Sequence, residues 1–194
     1  MKTVRRVVTG YGSDGRAVVV SDEQVESTSP DRGDKWSIWA ADGPVRLPND
    51  GSAPPFQGPL LPAPGGFHIT MFTLPANFNP DELWGTDDPA LREQLFQASI
   101  DPQTHPLVPD PNPYGYGTAK GASALHTTAS IDCLMQVSGE AVFVLENTEI
   151  RLRPGDWLIL NGVPHSCRND LNEPAVLVGV VVGAHHDGVP LRAA

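Results

Sequence analysis

The chain has 194 residues, of which 40% are hydrophobic and 19% are charged, so it can bury a core and wholesale disorder is excluded. Its net charge of -10 repels phosphate backbones, which argues against a nucleic-acid partner. No apolar run approaches the ~20 residues that a membrane-spanning helix needs, and the N-terminus lacks the apolar stretch of a signal peptide. We therefore expect a soluble, cytoplasmic protein without a membrane partner.

The first 118 residues alternate short β-like segments with proline-rich loops. Four strands are predicted, at residues 4–10, 15–21, 35–41 and 66–74. The loops at 47–66 and 101–117 contain too many prolines for regular strands, because proline lacks the backbone donor of the ladder. One short helix is predicted at 87–100, where aspartates can cap the first turn and leucines recur at helical spacing.

From residue 122 to 184 the chain becomes a succession of short strands. The breaks between them contain glycine, proline or asparagine, which are the residues of tight turns. The predicted strands are ASALHTT, IDCLMQVS, EAVFVLEN, EIRLR, DWLILN, HSCRN and PAVLVGVVVG. Such spacing predicts an all-β fold, either a sandwich or a small barrel.

Alternation along these strands places several polar residues on one face. Successive strand side chains point to opposite faces, so residues of equal parity share a face. The first such set is His126, Thr128, Ser130, Asp132, Leu134 and Gln136, and the second is His165, Cys167 and Asn169. His126, Asp132 and His165 could therefore point into one barrel interior.

Two imidazoles and one carboxylate form the ligand set of mononuclear iron(II) sites, which zinc, manganese and nickel also accept. Three protein ligands leave coordination positions for water or substrate, as a catalytic site requires. The sequence therefore predicts one divalent transition metal (Fe, Zn, Mn or Ni) held by His126, Asp132 and His165. The alternative is a metal-free barrel in which Asp132 accepts a hydrogen bond from a histidine.

Three of these residues are candidates for catalysis. Asp132 is expected to move a proton, Thr128 to offer a hydroxyl to the substrate or beside the metal, and Gln136 to hydrogen-bond the substrate. Thr128 could equally be an ordinary β-branched strand residue, and Gln136 could face a loop. Cys167 is expected to line the interior as a small apolar residue, because nothing in the sequence would lower the pKa of its thiol.

The two polar stretches resemble the paired motifs of the cupin superfamily. The first motif corresponds here to Gly121, His126, Thr128, Asp132 and Gly139, and the second to Gly155-Asp156, Asn161-Gly162, His165 and Asn169. The sequence departs from the usual pattern in two ligands, since Thr128 replaces a histidine and Asp132 replaces a glutamate. The resemblance covers residues 119–184, about a third of the chain, and is strongest for small single-domain cupins with a His-x-Thr-x-x-x-Asp run.

The resemblance implies a cupin-type double-stranded β-helix, or jelly-roll barrel, with an irregular N-terminal extension of short strands and one short helix. It divides the chain into an extension packing on the barrel (1–118), the barrel core (119–184) and a C-terminal tail (185–194). It also implies a homodimer, in which the strands at 35–41 and 66–74 could extend the barrel sheets or swap onto the partner. The His185-His186 pair is expected to be a solvated part of the tail.

The expected function is that of a metal-dependent enzyme acting on a small oxygenated organic substrate in the barrel cavity. Non-oxidative Lewis-acid chemistry of a decarboxylase, dehydratase, isomerase or cyclase is favoured. The alternatives are an iron(II) dioxygenase at the same two-histidine, one-aspartate site and a non-catalytic small-molecule-binding cupin.

Overall fold

The computed structural model describes residues 3–28, 33–56, 61–81, 116–118 and 125–187, and these residues form an all-β fold. The predicted helix at 87–100 lies outside the described residues. The strands are β1 (Thr3–Tyr11), β2 (Ala17–Glu26), β3 (Lys35–Ala41), β4 (Phe67–Leu74), β5 (Tyr116–Thr118), β6 (His126–Thr128), β7 (Ser130–Ser138), β8 (Ala141–Val144), β9 (Glu149–Leu152), β10 (Trp157–Asn161), β11 (Ser166–Arg168) and β12 (Ala175–Gly183). The all-β prediction is confirmed, and no helix of the described residues is long and apolar enough to cross a membrane.

The central layer is an antiparallel five-stranded sheet in the order β10-β7-β12-β4-β3. Strand β12 lies in the middle, paired with β7 on one side and β4 on the other. Its sequence is an almost unbroken apolar run, with one face buried and the other half-buried. Residues 35–41 and 66–74 thus extend the same sheet as the barrel strands.

A three-stranded sheet in the order β11-β8-β9 packs over the inner face of the five-stranded sheet. One cluster of buried side chains joins the two layers. The five-stranded sheet contributes Leu74, Leu134, Leu160, Ala175 and Leu177, and the three-stranded sheet contributes Ala141, Phe143 and Leu152. Two sheets enclosing one apolar core are what the jelly-roll prediction requires.

Strands β1 and β2 form a separate hairpin beside the five-stranded sheet. Arg6 fastens this hairpin to β3, because its Nη1 donates to the backbone oxygen of Ile38 at 2.9 Å. The same guanidinium lies 5.5 Å from the ring centre of Trp39. Arg6 therefore attaches the hairpin to the edge strand β3 by a hydrogen bond and by a cation–π contact.

Three glycines of the predicted turns adopt the left-handed conformation. The φ angles of Gly139, Gly155 and Gly162 are 66°, 94° and 62°. At Gly162 a Cβ atom would also approach the ring of His186 to 2.6 Å. His186 is thus not the solvated residue that the sequence predicts, since its Nε2 lies 2.8 Å from the backbone oxygen of Gly162.

Candidate functional site

His126 and His165 face each other across a short antiparallel bridge. The N–H of each residue donates to the backbone oxygen of the other, and both bonds measure 2.9 Å. Directly opposed residues of an antiparallel pair place their side chains on the same face. The bridge therefore brings together two histidines that lie 39 positions apart in the chain.

The two imidazole rings are neighbours. Their centroids lie 4.5 Å apart and their planes are tilted by 54°. Nδ1 of His165 lies 2.8 Å from the backbone oxygen of Val163. Because a carbonyl oxygen can only accept, Nδ1 of His165 donates in this contact, which leaves Nε2 as the ring nitrogen that faces away from the backbone.

Asp132 lies on the inner face of β7 between apolar neighbours. It pairs with Leu160 of β10 on one side and with Val181 of β12 on the other, and it is 8% exposed. This burial raises the pKa of the Asp132 carboxyl above its usual range. The hydroxyl of Ser130, the charge of His165 and the hydroxyl of Thr128 oppose the rise in that pKa only in part.

Ser130 connects Asp132 to Thr128. Its Oγ lies 2.7 Å from Oδ1 of Asp132 and 2.9 Å from Oγ1 of Thr128, and all three residues are buried. The charge of His165 also lowers the pKa of the Asp132 carboxyl, which relates this histidine to the row. No role was predicted for Ser130, although its parity with Thr128 and Asp132 puts it on their face.

Gln136 lies on the same face of β7 but at the opposite end of the strand. Its Nε2 donates to the backbone oxygens of Ser138 at 2.7 Å and Val176 at 3.4 Å, beside a register shift between β7 and β12. Four residues separate it from Asp132, which is about 13 Å along a strand. Its Oε1 is buried and has no hydrogen-bond partner among the residues that the structure describes. The structure therefore does not bring Gln136 to the histidines, and its catalytic role stays a prediction.

His68 is a buried polar residue to which the sequence assigns no role. It pairs with Val181, which pairs in turn with Asp132, so all three lie in one row on the inner face. Its Nε2 lies 2.9 Å from Oγ of Ser37, and its ring centre lies 5.1 Å from that of Phe56. From the sequence, the shared parity of His68 and Thr70 indicates only that they lie on the same face of their strand. The position of His68 in one row with Asp132 follows from the strand order.

Cys167 and Asn169 follow His165 on the same segment and have structural roles. Cys167 packs against the apolar core, and burial raises the pKa of its thiol to about 12, as expected of an unreactive cysteine. Nδ2 of Asn169 contacts the backbone oxygens of Leu74, Pro75 and Glu173. Asn169 therefore ties the end of β4 to the β11–β12 turn.

The donor types on this wall suit a divalent transition metal. Imidazole nitrogen and carboxylate oxygen are accepted by iron, zinc, manganese and nickel, and a histidine held through Nδ1 by a carbonyl is common in metal sites. Within the described ranges, however, no group of three or more His, Cys, Asp or Glu side chains is placed to hold an ion as it stands. The donors fit in kind, and holding an ion would require at least one side chain to rotate.

No protein-family model and no curated protein matches the chain. Among solved structures, the chain is similar to a Cupin 2 conserved barrel domain protein from Salinispora arenicola, with 11% identity, 82% of each chain covered and a TM-score of 0.41. It is also similar to a cupin superfamily protein from Desulfitobacterium hafniense, with 10% identity over 60% of this chain and 67% of that one (TM-score 0.34).

A third similar structure is the Cupin_2 domain of an XRE family transcriptional regulator from Enterobacter cloacae. It shares 13% identity over 61% of this chain and 83% of that one, with a TM-score of 0.35. All three of these structures are described as cupin proteins or cupin domains.

Proposed function

We propose that this chain is a cupin-type enzyme that acts on a small oxygenated organic molecule beside the His126–His165 pair and Asp132. The observation that carries the proposal is the reciprocal backbone bridge of the two histidines, with Nδ1 of His165 bonded to Val163. A buried carboxyl beside two adjacent imidazoles is costly to the fold, and perturbed groups of this kind concentrate at functional sites.

We propose His126, His165 and Asp132 as the residues that would hold one divalent transition metal. When bound, the metal would supply a Lewis acid that polarises a carbonyl, carboxylate or enolate oxygen of the substrate. This chemistry suits decarboxylation, dehydration, isomerisation or cyclisation. The apolar neighbours of Asp132, Leu160 and Val181, would exclude water from the reacting atoms.

Asp132 is our candidate for proton transfer. Burial raises the pKa of its carboxyl toward the range in which a side chain can both take and return a proton. Ser130 and Thr128 supply hydroxyls on one side of it. Thr128 is therefore proposed as a hydroxyl that supports the site from beside Asp132, and not as a ligand, because neutral threonine binds divalent ions poorly.

Metal content of untagged protein tests the proposal. We expect close to one equivalent of a transition metal after reconstitution, and a loss in affinity of about tenfold or more in His165→Ala. His185→Ala is the matched control, because His185 is exposed and belongs to the other histidine pair. Metal binding that survives His165→Ala unchanged would exclude the site.

The same ligand set would also serve an iron(II) dioxygenase. Stoichiometric iron together with oxygen uptake during turnover would favour that enzyme, whereas zinc, nickel or manganese would favour Lewis-acid chemistry.

A non-catalytic small-molecule-binding cupin is the second candidate. It is favoured by one observation, that the described side chains include no three-residue group placed to hold an ion as they stand. Less than a tenth of an equivalent of any metal after reconstitution would support this binding module over both metal enzymes.

We also propose a homodimer formed through the outer face of strands β7 and β10. Trp157 is 59% exposed and Ile159 is 48% exposed there, and both belong to the terminal strand of the sheet. Large apolar side chains on a sheet edge are commonly covered by a partner. In analytical ultracentrifugation we expect a dimer that Trp157→Lys weakens at least about tenfold, while Val19→Lys on the exposed hairpin leaves it intact.

A further inference from the structure

We infer that Ser130 is a positioning residue that holds one oxygen of the Asp132 carboxylate and reserves the other oxygen for the metal or the substrate. The inference rests on the proposed function, because it concerns the same carboxylate. It goes beyond that function by giving a defined task to a residue that belongs to none of the ligand positions in the paired motifs.

The number of hydroxyl protons limits the directions that the hydrogen bonds between Thr128, Ser130 and Asp132 can take. The Ser130 hydroxyl has a single proton, yet its Oγ lies within hydrogen-bond distance of both Thr128 Oγ1 and Asp132 Oδ1. A carboxylate can only accept, and the contact with Oδ1 is the shorter one at 2.7 Å. Ser130 therefore donates to Asp132, and the Thr128 hydroxyl is left to donate to Ser130 or to the Asp132 carboxyl, whose pKa both hydroxyls lower.

The three residues are almost inaccessible to water, so solvent competes little for these hydrogen bonds. Thr128, Ser130 and Asp132 are 4%, 3% and 8% exposed. In such surroundings each hydroxyl polarises the next, so a chain of two donors strengthens the final bond to the carboxylate. The row therefore fixes the rotation of the Asp132 side chain more firmly than a single hydrogen bond would.

The consequence for the site is that Asp132 is held through one of its two oxygens. Among the described residues the hydroxyl of Ser130 contacts Oδ1, and we assign to Oδ2 the role of a single-oxygen ligand or proton acceptor. These hydrogen bonds also give a role to Thr128, where the sequence departs from the histidine of the usual cupin motif. A threonine there is a neutral donor that completes the chain to Asp132, whereas an imidazole would add a further ligand.

A double-mutant cycle on metal-free protein tests the contact itself. Unfolding is measured in chelator for the wild type, Ser130→Ala, Asp132→Leu and the double variant. We expect the two changes to couple by roughly tenfold in the unfolding equilibrium constant, about 1.4 kcal/mol, because each removes the partner of the other. Effects that add within about twofold would overturn the inference.

Metal affinity tests the consequence for the site. We expect Ser130→Ala to weaken binding of Co²⁺, measured by chelator competition, by roughly 10- to 100-fold, and Ser130→Thr to retain it because the hydroxyl remains. Thr128→Val, which keeps the shape and removes the hydroxyl, should cause a smaller loss. Thr70→Val is the matched control, since Thr70 is also buried but donates to the backbone oxygen of Trp36.

The two measurements separate failure of the inference from failure of the proposed function. If the wild type binds no metal but the cycle shows coupling, the metal proposal fails and the positioning role stands. If the wild type binds metal and Ser130→Ala binds it equally well, the positioning role is overturned and the metal proposal stands. If Ser130→Ala does not fold, Thr128→Val and Ser130→Thr decide the question through the same affinity measurement.

Discussion

The inner face of β7 contains two regions that differ sharply although they belong to one strand. The first half, with Ser130 and Asp132, belongs with Thr128 and His165 to a group of buried polar side chains. In the second half, Leu134 belongs to a closed cluster with Leu177 and Phe143. Both halves follow the same alternation of side chains, so the pattern that builds the core also builds the candidate site.

The comparison shows how such a barrel can support buried polar groups. The apolar end gains free energy from burial, whereas the polar end pays for desolvation of the Asp132 carboxyl, whose pKa is raised by burial. The stability of the apolar end therefore makes the buried polar end possible. A substitution that disrupts the apolar cluster should lower the free energy of unfolding, whereas one that removes the buried charge of Asp132 should raise it.

The largest effect is expected at the apolar end. Leu177 is fully buried among the side chains of both sheets, so Leu177→Ala should lower the free energy of unfolding by about 2–5 kcal/mol through lost burial and a residual cavity. Val180→Ala, on the outer face of the same strand, is the control and should cost less. Denaturant titration measures both, and equal losses would argue against the placement of the core.

The sequence was sufficient to predict the all-β fold and the face on which several candidate residues lie. The strand at 35–41 has the bounds that were predicted, and alternation correctly placed Thr128, Asp132 and Leu134 on the buried face. The turn glycines Gly155 and Gly162 were also predicted correctly, because their positive φ angles are a local property. Local rules of this kind depend on few neighbours, which is why a single sequence reveals them.

Contacts between distant segments were beyond the sequence. The mutual bridge of His126 and His165 depends on strand register, and the row from Asp132 through Val181 to His68 depends on strand order. Neither can be derived from parity alone. The hydrogen bonds of Gln136 at a register shift were equally unpredictable, because bulges interrupt the alternation on which the prediction rested.

A half-buried lysine should give the second-largest effect. Lys35 pairs with Phe72, the neighbour of Leu177, so it belongs to the apolar end, and burial lowers the pKa of its ammonium to about 8. Between pH 8 and 10.5 the unfolded chain binds more protons, so stability should rise with pH in this window. Lys35→Met should stabilise the protein at pH 7 by roughly 1 to 3 kcal/mol and abolish that rise.

Asp132 should show the opposite dependence on pH in metal-free protein. Its folded pKa is raised, so its contribution is most favourable below the unfolded pKa and is lost as pH rises through the folded pKa. Asp132→Asn should therefore stabilise metal-free protein at neutral pH, by less than Lys35→Met because Ser130, His165 and Thr128 partly offset the burial. Thermal melts across pH measure the effect, and a destabilised Asp132→Asn at neutral pH would contradict it.

The smallest change in the free energy of unfolding is expected for solvent-exposed ion pairs on the three-stranded sheet. Arg168 donates to both carboxylate oxygens of Glu149 at 2.8 Å and to Oδ1 of Asp170 at 2.7 Å, and it holds the pKa of both carboxyls below their usual range. Arg168→Met keeps most of the side-chain stem and should cost less than about 1 kcal/mol, because solvent and salt screen exposed pairs.

The dependence of this cost on conditions distinguishes it from the buried charges. Both carboxyls have lowered pKa values, so the contribution of Arg168 is present above their unfolded pKa and should disappear as pH falls through the folded pKa. Salt of 1 M should also shrink the difference between Arg168→Met and the wild type. The pH effects at Lys35 and Asp132 should persist in the same salt, because burial and not screening sets those pKa values. A cost at residue 168 that neither acid nor salt reduces would instead indicate lost packing of the arginine stem.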